Sequence, residues 1–311
     1  TNRQTATVMS LTAVGSLAFD SVSTPFGERE RMLGGSAVHF ALAANFFTEV
    51  RIVSSVGEDF GETEIDVLTS RGIDTTDVER VEGGETFFWR GSYEYDMNLA
   101  KTEETRLNVL ESFVPKLTDG SRESETLFLG NIQPHLQRQV RAECEGSSFA
   151  GLDSMNIWIE NERETLIEAI GEVDCLLLND AEIRQLTGEA NLTRAARAVL
   201  ERGPRIVIAK QGEYGAALFT DEFFFAMPGF PLENVMDPTG AGDSFAGGFL
   251  GYVDKNRDGL DEHTLRRGMA YGSVLASFNV EEFGTERVAR LTEEEIEQRL
   301  REFQQITHFE I

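Results

Sequence analysis

The chain has 311 residues, 41% of them hydrophobic, and 54 acidic against 28 basic side chains, a formal net charge of −26. That length buries a substantial core, while the charge excludes nucleic acid, whose phosphates require clustered Lys and Arg, and disfavours a membrane surface. No apolar run approaches the roughly 20 residues that span a bilayer and no basic-then-apolar leader opens the sequence, which therefore reads as a cytoplasmic protein. Lysine occurs only at Lys101, Lys116, Lys210 and Lys255, and the carboxylate excess reads either as compositional bias or, more sharply, as adaptation to high salt, which screens repulsion within the chain. Cys144 and Cys175 offer neither a disulfide framework nor metal-ligand spacing and read as inert thiols.

From one end to the other, short apolar strands alternate with helical patterns, the signature of a mostly parallel sheet covered by helices on both faces, in one α/β domain over residues 1–311. After a frayed Thr1 to Thr7, strands are predicted at Val8–Gly15, Arg51–Gly57, Thr126–Gly130, Ser148–Asp153, Val173–Asn179 and Arg205–Lys210. Gly215–Thr220 and Phe223–Met227 follow as an antiparallel pair. Helices are predicted at Ser36–Phe47, Gly61–Arg71, Pro134–Glu143, Asn161–Gly171 and Thr193–Gly203, the last stopped by Gly203-Pro204. Thr292 and Glu295 stand in capping-box spacing before a closing helix with Ile296, Leu300 and Phe303 on one face. Ser16–Leu33 and Thr86–Val109 break the alternation and have room for extended strands. Either they are ordinary surface excursions or, as insertions after sheet strands commonly are, they form one small accessory sheet over an active site, a lid drawn from about residues 16–33 and 86–109.

The segment Asp237-Pro-Thr-Gly-Ala-Gly-Asp243 is a Gly-rich turn running into a helix with Phe245, Phe249 and Val253 at helical spacing. Gly240 and Gly242 let the amides of Gly240, Ala241, Gly242 and Asp243 converge at the positive end of the helix dipole, an arrangement suited to an anion. A carboxylate beside an anion nest repels a static phosphate, but it makes sense if Asp243 takes a proton from an alcohol that attacks a phosphoryl group held there. The segment lacks GxxxxGK[ST], and Phe245 stands where GxGxxG needs glycine, so neither the Walker A loop nor the dinucleotide fingerprint applies.

These residues resemble the ribokinase, or PfkB-type, family of carbohydrate kinases over nearly the whole chain. The family's N-terminal Gly-Gly signature is similar to Gly34-Gly35-Ser-Ala-Val-His-Phe-Ala-Leu-Ala-Ala-Asn45, and Gly15 to Asp20 resembles the strand exit that carries its substrate-binding carboxylate. The resemblance implies a three-layer α/β fold with a small β lid, and Asp20, Gly34 and Gly35 at the substrate. His39 departs from the pattern, standing where many members carry a substrate-touching Asn; it is either a substrate contact or packed on its helix. Asn179 and Glu182, one face of a helix start, resemble the N-x-x-E element that orders Mg²⁺ and its waters, although a helix cap alone explains the spacing. Lys210, Gly212 and Gly215 resemble the strand-turn that approaches the nucleotide, Thr239 joins them, and Asn279 and Gly284 resemble adenine-pocket contacts. Asp153 and Asn156 resemble a D-x-N element with one residue too many, and Asp237 is similar to a residue beside a monovalent cation, K⁺.

The function implied is ATP- and Mg²⁺-dependent phosphorylation of a small-molecule sugar, first on a primary hydroxyl, with Asp243 as base. Two alternatives stand beside it. A nucleoside kinase would use Phe87, Phe88, Trp89, Tyr93 or Tyr95 to stack a base, where otherwise these aromatics pack the lid or a lid-mediated homodimer; a non-catalytic sugar-binding regulator would have no need of Asp243. For a phosphorylated sugar, Arg90 is the cation that stands out in the lid.

Overall fold

The computed structural model describes residues 10–308, so Thr1 to Thr7 and the start of the strand predicted from Val8 lie outside the described residues. In chain order the first half runs β1 (Ser10–Val14), β2 (Ala18–Thr24), β3 (Gly27–Gly34), α1 (Ser36–Ala44), β4 (Glu49–Gly57), α2 (Glu62–Thr69), β5 (Asp74–Val81), β6 (Phe87–Tyr93), β7 (Ala100–Arg106), α3 (Asp119–Arg122), β8 (Thr126–Leu129), α4 (Pro134–Glu143) and β9 (Phe149–Asp153). The second half runs α5 (Asn156–Asn161), α6 (Arg163–Gly171), β10 (Cys175–Asn179), α7 (Asp180–Thr187), α8 (Leu192–Leu200), β11 (Ile206–Lys210), β12 (Ala216–Phe219), β13 (Phe224–Met227), α9 (Ala241–Lys255), α10 (Glu262–Asn279), α11 (Glu286–Ala289) and α12 (Glu293–Thr307).

The large sheet has the order β13-β12-β11-β10-β9-β8-β1-β4-β5, with parallel pairing from β11 to β5 and the expected antiparallel pair at the other edge. Its central strands are short apolar runs; Cys175 to Leu178 of β10 are all buried, as a strand covered on both faces requires. On one face the rings of Phe40 (α1) and Phe128 (β8) stack at 3.8 Å, and on the other Leu129, Leu152 and Leu176 pack with Leu136 of α4 and Ile183 of α7. Each such buried side chain contributes about 1.5–3 kcal/mol relative to leaving it exposed.

Glycines position α9. A Cβ on Gly247 would stand 2.3 Å from Phe40 O in α1, and one on Gly248 2.9 Å from Tyr271 O in α10, so both neighbours approach its backbone closely. The turn before α9 is thereby seated on the core.

The two irregular stretches form one separate four-stranded sheet, β3-β2-β6-β7, with β2 and β6 parallel and the outer strands antiparallel to them. Its edge strand β7, AKTEETR, is exposed throughout and charged, which discourages further pairing.

Three elements differ from the sequence expectation. β5 carries polar residues along DTTDVERV, which an edge strand tolerates because it pairs on one side only. The helix expected from Asn161 is preceded by the short α5. The 18-residue α10, for which no element was predicted, ends at Asn279, and its Gly268 and Gly272 lie against Phe249 and Phe245 of α9. Among the described residues no helix is long and apolar enough to cross a membrane.

Candidate active site

The chain proceeds from β1 to β4 and β5 in one direction, while β8 to β11 extend the sheet in the other, so strand order reverses between β1 and β8. Open α/β sheets bind ligands outside the carboxyl ends of their strands near such a reversal. Asp153, Asn179 and Lys210 are the last residues of β9, β10 and β11, with Leu177 paired to Asp153 and Asn179 to Lys210. The turn from Asp237 to Gly240 faces them at the start of α9.

Gly240 caps that helix at φ 75°, a left-handed conformation that costs a side-chain-bearing residue about 1–2 kcal/mol. Among the described residues the N–H groups of Gly240, Gly242 and Asp243 have no backbone acceptor, whereas Ala241 N–H donates to Pro238 O at 3.1 Å. Ala241 is thus a correction to the expected four-amide nest: its N–H closes the turn. Asp243 is half-buried in the first helical turn, and desolvation there, then Asp153 and, more weakly, Asp20 push its pKa up to about 8 against the opposing pull of Lys210. Lys210 Nζ lies 2.6 Å from Asp153 Oδ2, and a Cβ on Gly242 would stand 3.0 Å from it. Burial opposes the lysine's charge, but Asp153, Glu182 and Asp243 outweigh it and keep the pKa raised. A fixed ammonium therefore stands beside free amide donors in an otherwise acidic protein.

His39 and Asn279 form the floor of this turn. A Cβ on Gly240 would come within 2.4 Å of His39 Cγ, Cδ2 and Nδ1. Asn279 Nδ2 donates to Thr239 O at 2.7 Å, so its Oδ1 accepts from Ser244 Oγ at 3.0 Å and from His39 Nδ1–H at 2.8 Å. Burial pushes the His39 pKa down to about 4 and keeps the ring neutral; its Nε2 is buried without a hydrogen-bond partner among the described residues. Of the two sequence readings for His39, packing fits and an open substrate contact does not. Asn279, fully buried, is corrected in the same way from an adenine contact to a brace under the turn. Gly284 is also buried, its N–H donating to Asp237 Oδ2 at 2.9 Å and its Cα turned toward Met32 of the small sheet, so it too lies beneath the turn rather than in an open pocket. Asp237 Oδ1 accepts from Thr239 N–H at 2.9 Å, and burial raises the Asp237 pKa.

The small sheet supplies the opposite wall. Asp20 of β2 is buried, and burial first, then Asp237, raise its pKa to about 7 against a hydrogen bond from Gly35 N–H. Gly34 exists for this carboxylate, since a Cβ there would stand 1.9 Å from Asp20 Oδ2. Tyr93 Oη meets Thr239 Oγ1 at 3.2 Å, joining the sheet to the Gly-rich turn. In the β6–β7 loop, Asn98 Oδ1 accepts from Glu213 N–H at 3.0 Å and Asn98 Nδ2 donates to Glu213 Oε1 at 3.2 Å, on the turn holding Gly212 and Gly215. Arg90 is a correction: its guanidinium lies over Phe88 and pairs with Glu30 and Glu104 on the other face of the sheet.

Asn179 and Glu182 make a capping box, each side chain accepting from the other's backbone N–H at 2.7 and 2.9 Å. The cap spends Glu182 Oε2 and leaves Oε1 uncommitted among the described residues; burial raises the Glu182 pKa to about 7 against the pull of Lys210. No cluster of three or more His, Cys, Asp or Glu among the described residues is arranged to hold a metal ion. One spare carboxylate oxygen fits Mg²⁺ held mainly through water and phosphate oxygens, the usual manner of that ion. Asp153 is committed to Lys210, and Asn156 is exposed at the start of α5, away from that pair. Sequence reasoning did not single out Asn98, and it left Asp153 without its partner; both depend on contacts between distant segments, |i−j| of 115 and 57, that no local pattern encodes.

A half-buried carboxylate beside unpaired amide donors and a lysine, at the carboxyl edge of a mostly parallel sheet, is suited to transferring a phosphoryl group to an alcohol. Residues 148–290 match the model of the pfkB family carbohydrate kinases. Over 256 residues the chain is 26% identical to the cytidine kinase of Thermococcus kodakarensis, covering 80% of this chain and 90% of that protein. It is 27% identical to the nucleoside kinase of Methanothermobacter thermautotrophicus over 304 residues, covering 89% and 91%. The solved nucleoside kinase of Methanocaldococcus jannaschii, described as an archaeal member of the ribokinase family, superposes with a TM-score of 0.75 at 22% identity, over 94% of this chain and 98% of that one. Residues 148–290 thus match a PfkB-type carbohydrate kinase, and the two relatives that match most of the chain are a cytidine kinase and a nucleoside kinase. Kinases of this family use ATP, and one structural neighbour holds ATP with Mg²⁺.

Proposed function

We propose that this kinase phosphorylates the primary hydroxyl of a nucleoside, with Asp243 as general base. The observation that carries the chemistry is the Asp243 carboxylate at the mouth of the Gly240–Gly242–Asp243 amide donors with Lys210 alongside. The acceptor class is supported by the two full-length relatives above, a cytidine and a nucleoside kinase, matched over nine-tenths of their own length; the free sugar that the sequence alone put first is the second reading.

In this reading Asp20 accepts hydrogen bonds from hydroxyls of the ribose ring and fixes the attacking oxygen near Asp243. Asp243 takes the proton of the primary hydroxyl, and the three free N–H groups of the turn receive the charge of the transferring phosphoryl group, with Lys210 supporting them. His39, Asn279 and Thr239 hold the turn in place. Mg²⁺, when bound, neutralises phosphate charge; Glu182, with Asn179, would hold it through water. The small sheet acts as a lid, its Tyr93 on the anion turn and its Asn98 on the turn at Glu213. A monovalent cation beside Asp237 is supported by a buried carboxylate that has two N–H partners and no cationic one among the described residues, and K⁺ should raise turnover over a large organic cation at matched ionic strength.

A coupled ADP-release assay over nucleosides, pentoses and hexoses tests the acceptor. Nucleoside turnover well above that of any free sugar is expected; turnover of a free sugar with none of a nucleoside would overturn the proposal in favour of the second reading.

A further inference from the structure

The aromatic residues of the small sheet divide sharply between its two faces. Phe88 is buried in the core, with Arg106 4.3 Å and Arg90 5.6 Å from its ring centre, and takes no part in the site. Trp89 is in register with Asp20 across the parallel β2–β6 pair, and residues so paired share a face of the sheet. Tyr93, four residues on and therefore on that same face, reaches Thr239. Tyr95 is 94% exposed beyond the end of the strand.

Trp89 is held in a particular way. A Cβ on Gly91 would come 2.1 Å from Trp89 Cη2 and 2.3 Å from Cζ2, so the indole lies across the bare backbone of Gly91. Its Nε1–H donates to Thr102 Oγ1 at 3.2 Å, and Thr102 is the β7 residue paired with Gly91. The ring is thus backed by a side-chain-free backbone, tethered at its edge and only half-buried. Adjacent strands are ~4.8 Å apart, so the Trp89 backbone lies about one strand spacing from that of Asp20, and its ring, leaning toward Thr102 of β7, stands on the side of β6 away from β2.

We propose that Trp89, seated on Gly91 and tethered to Thr102, is the stacking platform for the base of the substrate, and hence the residue that separates nucleosides from free sugars. This rests on the nucleoside reading above. Gly91 gives the ring its seat, Thr102 fixes its rotation, and Asp20 on the neighbouring strand takes the sugar, so ring and carboxylate, on one face of the sheet, take the two parts of a nucleoside. Stacking tolerates any base, because every base offers a π face; the platform therefore supports breadth among nucleosides.

The test is nucleoside binding and steady-state kinetics for the parent, Trp89→Ala, Trp89→Phe and Gly91→Ala, with thermal melts to verify folding. Trp89→Ala should raise nucleoside KM about 5- to 150-fold with a far smaller change in kcat, the range that base–aromatic stacking supplies. Trp89→Phe should recover most of the loss, and Gly91→Ala, which must unseat the ring, should fall between. The chain has two tryptophans, so in a Trp158→Phe background Trp89 fluorescence should be quenched by a nucleoside and not by ribose. Parent turnover of nucleosides with an unchanged KM in folded Trp89→Ala and no quench overturns the platform and leaves the nucleoside reading standing. A parent without nucleoside turnover overturns that reading, and the platform with it.

Discussion

Replacing Gly240 by alanine loads the turn at its tightest point. The left-handed backbone at φ 75° costs an alanine about 1–2 kcal/mol. The new methyl would also stand 2.4 Å from three atoms of the His39 ring, which is buried and bonded to Asn279 at 2.8 Å, so the ring cannot yield without releasing the brace on Thr239. Overpacking of this kind typically costs about 1–3 kcal/mol, for a combined destabilisation of about 2–5 kcal/mol. If the turn relieves the clash by shifting, the Gly240, Gly242 and Asp243 amides lose their convergence, and misplacing one such donor costs about 10²–10³ in rate. Urea unfolding and single-turnover kinetics measure the two effects. Adding His39→Ala should restore part of the lost stability, because the two positions are in contact and their effects do not add. A Gly240→Ala protein with stability within about 0.5 kcal/mol of the parent and undiminished turnover would refute the reasoning.

Three further expectations follow from the same residues and the charge. The carboxyls of Asp20 and Glu182 stand near 7 and that of Asp243 near 8, above ordinary values of 3.8 to 4.5, so between those limits the folded protein binds more protons than the unfolded chain. The unliganded protein should therefore lose stability as pH rises through that window, and its urea midpoint should be higher at about pH 5.5 than at about pH 8.5; the reverse order would show that these groups are not buried as described. Glu182→Gln should raise the Mg²⁺ concentration needed for half-maximal turnover while preserving the fold, since the amide oxygen can still accept from Asn179 N–H; unchanged Mg²⁺ dependence would leave Asn179 and Glu182 as a helix cap only. With a net charge of −26, thermal stability should rise between dilute buffer and molar KCl, and a flat or falling midpoint would discard the reading of adaptation to high salt.

The architecture was legible because its signals are local. Apolar runs such as Leu176 to Leu178 fix a doubly covered strand, Thr292 with Glu295 fixes a helix start, and the gaps at Ser16–Leu33 and Thr86–Val109 leave room for a second sheet, one of their two readings. The helix start at the Gly-rich turn was legible for the same reason, since one segment carries its glycines and Asp243. What stayed hidden involves contacts between segments far apart in the chain. His39 lies under Gly240, 201 positions away (240 − 39), and the Asp153 partner of Lys210 is 57 positions away. Arg90 was misjudged because alternation along β6 assigns two faces, and only the register with β2 says which one carries Asp20.

The central claim is that Asp243 is the base and the turn amides are the anion site. Single-turnover phosphorylation of a confirmed substrate, paired with ATP calorimetry, on Asp243→Asn and the parent tests it most directly. The substitution leaves the backbone N–H groups intact and removes a half-buried carboxylate from the neighbourhood of phosphate, so ATP affinity should hold or improve. An amide cannot accept the alcohol proton, and turnover should fall by about 10²–10⁴. Turnover within a few-fold of the parent, with ATP bound normally, would contradict the account.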